Sequence, residues 1–567
     1  VRALAVLLLA TAGVTLVRAA DAPRPVVGRS MVTTRYGIVA ASQPLAARAG
    51  TLVLERGGNA VDAAIAANAA MGVMEPAMNG IGGDLFVLYW EAKSGRLHGL
   101  NASGWAPTGL TRERLVAKGL KRVPIAGVEA VTVPGAVAGW HALRERFGTK
   151  PFRELLAPAI RYANEGFPVG EVTAAEWADP EALSLLGSSP GAARTYLVDG
   201  RPPREGDVFR NRDLARSLER IAEAGRDGFY RGPTAEAILG AVRAAGGTMT
   251  AADLAEFEPE WVEPVSTRYR GWTVYEIPPS TQGIAALMML DVMETFPLGK
   301  WGFHSPDGLH AMIEAKKLAY ADMLRYVADP RFAKVPTREL LDEARAARQA
   351  KRIDMAKANC DVKPDRLDGV GDATGRDTIY LSVVDRQGGI VSLIQSIYWA
   401  FGSGMVPEGT GFALHNRGAL FTLEPGHPNT LAPRKRPLHT IIPGFMEKDG
   451  ARIGFGIMGG FNQAQAHAQF VAAVADYGFT IQEALEAGRF TKPTFSGCDV
   501  QIEALVPEAV RADLARRGHA ITVVPPRRGN FGWGQAVLAR PDGVHFGASE
   551  PRHDGAAIPE SAPVFED

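Results

Sequence analysis

The segment DTIYLSVVDRQGGIVSLIQSIY, residues 377–398, restricts the folds open to this chain more than any other. From Ile379 on it is nearly all apolar. It is broken only at Arg386-Gln387-Gly388-Gly389, which predicts a strand over Thr378–Asp385, a tight turn and a second strand over Ile390–Tyr398. A hairpin this apolar has to be covered. Helical and strand-like segments on either side of it predict helices packed over antiparallel sheets. The stretch just before it, AKANCDVKPDRLDGVGDATGR (residues 356–376), is polar and rich in Pro, Gly and Asp, and reads as an exposed loop open to cutting. Thr378 therefore stands where a loop meets a buried hairpin. Two readings of it are open: a β-branched residue that simply begins a strand, or a hydroxyl placed for chemistry.

The rest of the chain fits a large α+β protein. Pro44–Arg56 reads as a helix closed by Gly57-Gly58, and Asn59 caps a second, Ala-rich helix. The Gly-rich turn Gly80–Gly83 runs into an apolar strand, Leu85–Trp90; a phosphate loop would be followed by a helix, so that reading is set aside. Helices dominate from Pro134 to about Ala245, and Thr250–Asp253 has the form of a capping box. YRGWTVYEI reads as strand-like and leads through the turn PPSTQG into an apolar helix, with a long helix from about Pro306 to Tyr326.

With 567 residues the chain exceeds one simple core. Lys+Arg and Asp+Glu balance at 62 each, so no net field draws it to nucleic acid or to an anionic membrane. At the N-terminus Arg2 is followed by an apolar run and small residues, which predicts a signal peptide over residues 1–20 and a periplasmic or secreted protein. That run of ~15 residues is shorter than the ~20 a spanning helix needs, so no stable membrane insertion is expected after signal removal. Two cysteines occur, Cys360 and Cys498, and no disulfide is assigned to them from sequence. His415, His427, His439 and His467 are scattered without a helical two-ligand spacing, so neither a metal nor another cofactor is expected.

A threonine hydroxyl in mid-chain has no base beside it. At a free N-terminus its own α-amine, with a pKa near ~8, serves as general base. Reaching that state requires cleavage between Asp377 and Thr378, and the same hydroxyl is positioned by sequence to attack the Asp377 carbonyl. Acyl transfer also needs donors for the developing oxyanion. In RIGFGIMGGFNQAQAH a strand, Ile453–Met458, ends in Gly459-Gly460 before a helix-like run; this is either an oxyanion hole or a plain strand-to-helix turn.

Taken in order, GGNAVDAAIAANAAMGVMEP, NGIGGDLF, VPGAVAGW, PAIRYANEGF, GGTMTAADLAEF, YRGWTVYEIPPSTQGI, AYADMLRYVADP, DTIYLSVVDRQGG, FGSGM, PRKRPL, MGG and FGASEPR make the chain resemble the γ-glutamyltranspeptidase family of N-terminal nucleophile hydrolases. The resemblance covers nearly the whole chain after the signal. It implies a four-layer αββα sandwich, with a precursor that cuts itself into a large subunit, residues 21–377, and a small subunit, residues 378–567, held together as a heterodimer. It places Thr378 on the family nucleophile, Gly459 and Gly460 on the oxyanion pair, and Ser396 on a second hydroxyl that hydrogen-bonds the nucleophile.

The glutamate-binding positions depart from the family. Ser103 stands where glutathione-acting members carry an arginine for the α-carboxylate, and Tyr398 where they carry an asparagine. Arg417 and Leu420 replace the acidic pair that grips the α-amino group, and His439 and Thr440 replace paired serines. Each lost charge-assisted contact removes roughly 1.5–3 kcal/mol. Two readings of Arg417 stay open: a partner for a carboxylate on a different acyl group, or a surface arginine in a loop. The resemblance thus implies an amide hydrolase or acyltransferase acting on a small-molecule amide, γ-glutamyl compounds first. The alternatives are an acylase for non-glutamyl amides such as β-lactam side chains, and an unprocessed periplasmic binding protein.

Overall fold

The hairpin of residues 377–398 forms the middle of a seven-stranded antiparallel sheet. Its order is Ala556–Pro559, Ile38–Ala41, Asp377–Val384, Ile390–Tyr398, Asp84–Glu91, Arg96–Ala102, Glu260–Val262. This is a computed structural model, describing residues 27–362, 377–526 and 531–562. The expected signal peptide and most of the loop ahead of Thr378 lie outside the described residues. A second seven-stranded sheet runs Val32–Thr34, His545–Ser549, Gly534–Ala539, Ala451–Ile457, Gly444–Lys448, Trp272–Glu276, Val265–Tyr269.

The two sheets stack face to face, and the second is thinned where the hairpin meets it. A Cβ on Gly456 would lie 2.4 Å from the Tyr380 ring, and one on Gly454 would lie 2.7 Å from Ile390 Cγ2. Polar side chains between the sheets are satisfied across the gap: Ser382 Oγ donates to the Gly454 carbonyl at 3.1 Å and Ser392 Oγ to that of Phe455 at 3.3 Å.

Helices cover both outer faces. Pro44–Glu55 and Ala60–Met74 lie on the hairpin's sheet; Gly283–Glu294, Pro306–Tyr326 and Asn462–Ala475 lie on the other. The expected caps are present: Asn59 and Asp62 form a capping box, as do Thr250 and Asp253. Ala60–Met74 is buried on nearly every side because it is sandwiched between the sheet and the helix Phe152–Glu165, so its apolar residues form no single stripe. The result is the four-layer αββα sandwich.

The structure refines three local readings. YRGWTVYEI is the turn and second strand of a hairpin: Tyr269 and Trp272 face each other across Arg270-Gly271, both at positive φ (50° and 80°). The loop over residues 356–376 is not uniformly exposed, since Ala358 and Val362 are buried at its start. And Cys360 and Cys498, whose pairing the sequence leaves open, form a disulfide across 138 residues, a proximity only the tertiary fold creates.

Candidate active site

Thr378 heads its strand at a β-bulge. Asp377 pairs with Tyr398 and Ile379 with Gln395, so Thr378 alone stands opposite two residues, Ser396 and Ile397. Such an irregularity re-aims side chains relative to a regular ladder. Thr378 is 1% exposed and Ser396 is fully buried. Ser396 Oγ accepts two N–H groups, from Arg417 Nη2 and from the Tyr398 backbone, both at 2.8 Å. With its lone pairs engaged, the Ser396 hydroxyl faces any third group as a donor. Tyr398 holds φ at 78°, in the region a bulky residue rarely occupies, so the chain turns sharply just past Ser396.

Arg417 opens the short 3-10 helix Arg417–Leu420 and is 0% exposed, which removes the surface-loop reading. Its Nη1 donates to Thr440 Oγ1 at 2.7 Å and its Nη2 to Ser396; Tyr398's ring lies under the guanidinium, 4.5 Å from centroid to Cζ. Each terminal nitrogen spends one hydrogen on these hydroxyls, and among the described residues no hydrogen bond takes the second. Burial pulls the guanidinium down to about 10, against the opposing pull of Asp84 and Tyr398, and it remains a cation at neutral pH.

Asp84 was not singled out by sequence, and it organises the cluster. Its Oδ1 accepts the Gly104 N–H at 2.7 Å. Its Oδ2 lies 2.9 Å from His439 Nε2, 3.0 Å from His415 Nδ1 and 3.7 Å from Arg417 Nε. Burial alone works to raise this carboxyl; its contacts with His415 and His439 outweigh that and hold it well below the usual carboxylate range. Burial, then the Arg417 charge, pushes His439 down to about 3. A neutral His439 donates from Nε2 to Asp84 and offers Nδ1 to the Ile441 N–H at 3.4 Å. It is a paired core histidine.

Gly459 and Gly460 follow the strand Ala451–Ile457 with φ of 123° and 60°, on the left-handed side that favours glycine. Their carbonyls are tied back by Asn462 N–H (3.0 Å) and Gln463 N–H (3.2 Å), while among the described residues neither glycine N–H is spent on a hydrogen bond. Gln282, also missed from sequence, links this turn to Arg417: its Nε2 donates to the Gly460 carbonyl at 2.8 Å and to that of Thr440. A continuous bonded path thus runs Ser396–Arg417–Thr440–Gln282–Gly460.

Two expected pocket residues take no part in it. The Ser103 side chain turns back to Asn101 Oδ1 (2.7 Å) and its carbonyl accepts Arg436 Nε (2.8 Å), although its neighbour Gly104 does touch Asp84. Leu420 is packed in the apolar core.

Of the other histidines, His467 pairs with Glu276 at 2.7 Å and His427 Nε2 lies 3.2 Å from the Leu324 carbonyl. One group of potential metal donors, unnoticed in the sequence despite the i,i+4 spacing of two members, is His310, Glu314 and His519, with ligand atoms within 4.8 Å of one another. Hydrogen bonds already account for it: His310 Nε2 donates to the Asp354 carbonyl (2.9 Å) and Nδ1 accepts from His519 Nε2 (2.8 Å). Lys317 Nζ sits 2.6 Å from Glu314 Oε1, so an incoming cation would meet a resident ammonium. The residues do not fit a metal well.

Comparison with known proteins accords with this geometry. The model of the family described as Gamma-glutamyltranspeptidase matches residues 46–560. The crystal structure of a cephalosporin acylase from Bacillus halodurans is similar at 42% identity and a TM-score of 0.85, over 94% of this chain and 98% of that one. The glutathione hydrolase-like YwrD proenzyme of Bacillus subtilis is 34% identical over 94% of this chain and 99% of its own length. The oxamate amidohydrolase proenzyme of Klebsiella pneumoniae is 34% identical over 92% and 98%. With a family match over most of its length and relatives aligned end to end, the chain belongs to the gamma-glutamyltranspeptidase family of N-terminal nucleophile hydrolases.

Proposed function

We propose that this protein is an exported, self-processed amidohydrolase whose preferred acyl group carries a carboxylate in place of the α-amino group of a γ-glutamyl substrate. In the precursor, Thr378 Oγ1 attacks the Asp377 carbonyl carbon, the peptide nitrogen leaves as the Thr378 amine, and water hydrolyses the resulting ester. The large fragment, residues 21–377, and the small one, residues 378–567, stay together as a heterodimer. In the mature enzyme the freed amine takes the Thr378 hydroxyl proton as Oγ1 attacks the substrate amide. The Gly459 and Gly460 N–H groups receive the oxyanion, the Ser396 hydroxyl donates to Oγ1, and the amine hands its proton to the leaving nitrogen. Water, or an amino acid as acceptor, then releases the acyl group.

The observation that carries the substrate reading is Arg417: a buried guanidinium, locked between Ser396 and Thr440, with a second N–H on each terminal nitrogen that no hydrogen bond takes among the described residues. A substrate ammonium there would meet a like charge. A carboxylate would meet a charge-assisted fork, worth roughly 1.5–3 kcal/mol. Relatives named for acylase and oxamate amidohydrolase activity suit such a pocket, since oxamate is itself an amide bearing a carboxylate. Export is supported by the disulfide, which suits an oxidising compartment; among the described residues no helix is long and apolar enough to cross a membrane.

The test is a competition on purified protein, its processing read on a denaturing gel, among glutathione, oxamate, a glutaryl amide and a β-lactam acylamide. The carboxylate-bearing acyl amides should lead in kcat/KM. A wide lead for glutathione sinks the pocket reading while leaving the nucleophile in place. A chain that stays whole and turns over nothing supports the binding-protein alternative.

A further inference from the structure

Cys360 and Cys498 lie on opposite sides of residue 378 in sequence and are bonded to each other in space. We infer that the mature protein is two chains covalently joined through Cys360–Cys498, and that small thiols open this link in one direction, by attack on Cys360 with Cys498 leaving. The inference rests on the processing reading above, since only cleavage before Thr378 places the two cysteines in different chains.

The link is stitched into its surroundings. The Ala358 N–H donates to the Arg517 carbonyl at 2.7 Å and the Ala520 N–H to the Cys498 carbonyl at 2.7 Å, so backbone bonds tie the Cys360 segment to the end of the helix Glu508–Arg516 and the Cys498 segment to the strand Ala520–Val524 that follows it. It is not what keeps the fragments together. The small-fragment hairpin is flanked by the large-fragment strands Ile38–Ala41 and Asp84–Glu91, an interleaving that survives without the disulfide. What the link fixes is the end of the large fragment that processing sets free.

The two sulfurs are not equivalent. Cys360 is exposed, whereas Cys498 is 9% exposed and has Lys317 Nζ 3.7 Å from its sulfur. That ammonium also donates to Glu314 Oε1 and to the Asn359 carbonyl, next to Cys360 in the chain. Access favours attack on Cys360, and a neighbouring cation stabilises a thiolate leaving from Cys498. The thiolate of a small thiol bonds to Cys360 Sγ as the S–S bond breaks, and the electron pair passes to Cys498 Sγ. A second thiolate attacks the thiol's own sulfur in the mixed disulfide and releases Cys360. In sum two small thiols are oxidised to their disulfide, both cysteines are reduced, and the protons of the small thiols end on the cysteines.

Denaturing gels of the mature protein with and without reductant test the link. One joined species without reductant and two fragments with it is the expected result. Two fragments in both lanes overturns the link and leaves processing standing. One intact chain in both lanes, with no terminus at Thr378 by mass spectrometry, overturns processing and the inference with it. The double variant C360S/C498S should give two fragments in both lanes while remaining active. For the direction, brief exposure to limiting glutathione, acid quenching and peptide mass spectrometry should place glutathione on Cys360; its appearance on Cys498 overturns the directional claim. Lys317→Gln should slow opening by roughly three- to tenfold through the poorer leaving thiolate, with Lys317→Arg restoring the rate. An unchanged rate in Lys317→Gln removes the ammonium from the account.

Discussion

Asp84 and Glu75 are both carboxylates at most 1% exposed, yet the protein treats them in opposite ways. Asp84 collects a backbone N–H, two imidazoles and a nearby guanidinium, and is held ionised. Glu75 accepts from Ser42 Oγ at 2.8 Å, but among the described residues its Oε1 has no hydrogen-bond partner and lies 3.7 Å from His553 Nδ1; burial pushes it up to about 7. The cation there is shared: His553 Nδ1 is 2.9 Å from the Ser42 carbonyl and Nε2 is 3.5 Å from Glu176 Oε2. Burial works against charging His553, and the surrounding carboxylates, Glu176 and Glu75 foremost, outweigh it and raise it to about 10. The difference teaches that donors per carboxylate, more than burial, decide which buried acid keeps its charge.

The sharpest way to break this contrast is Asp84→Ala. It strands Arg417 without its counter-charge, and removing one partner of a buried ion pair costs roughly 3–5 kcal/mol. Denaturant unfolding at neutral pH should show a loss of that order; a loss under about 1 kcal/mol would mean that Asp84 does not organise the cluster. Next in size is Arg417→Ala, read as specificity. Its KM for a carboxylate-bearing acyl amide should rise roughly ten- to a hundredfold, with a much smaller change for a neutral acyl amide of similar length. An equal loss on both would make Arg417 a scaffold for Ser396 rather than a substrate contact.

The smallest effect sharpens the other half of the comparison. Glu75, raised to about 7, favours the protonated folded state, so its contribution to stability is present below the unfolded value near ~4.5 and is lost as pH rises through about 7. His553, raised to about 10, contributes stability fully present below ~6.5 and lost as pH rises through about 10. The melting temperature of the wild type should therefore fall as pH is raised across both windows. Glu75→Gln should flatten the lower window at a cost under about 1 kcal/mol, because it removes a charge that burial penalises. Calorimetry that finds an unchanged slope below pH 7 would assign that dependence elsewhere.

Much of the fold was readable in the chain. The hairpin, the Asn59 and Thr250 caps and the long helix from Pro306 to Tyr326 follow from period, turn and capping chemistry, and the structure forms them nearly to the residue. Thr378 stood out because a charged residue and a hydroxyl head a buried strand. Asp84 carries the same signal, an acid opening the apolar strand Asp84–Glu91, but the glycines before it drew attention to the turn instead. Gln282 and His415 carry no local signal at all, for each acquires its role from residues more than a hundred positions away.

By itself the sequence determined that a covered antiparallel hairpin begins at a threonine. That is a property of neighbours along the chain, where backbone preference and side-chain alternation act within a few residues. Only the tertiary structure decided that Arg417 is buried between Ser396 and Thr440, that Asp84 is its counter-charge and that Cys360 meets Cys498. Those pairings join segments far apart in sequence, and their energies exist only once packing has excluded water from between them.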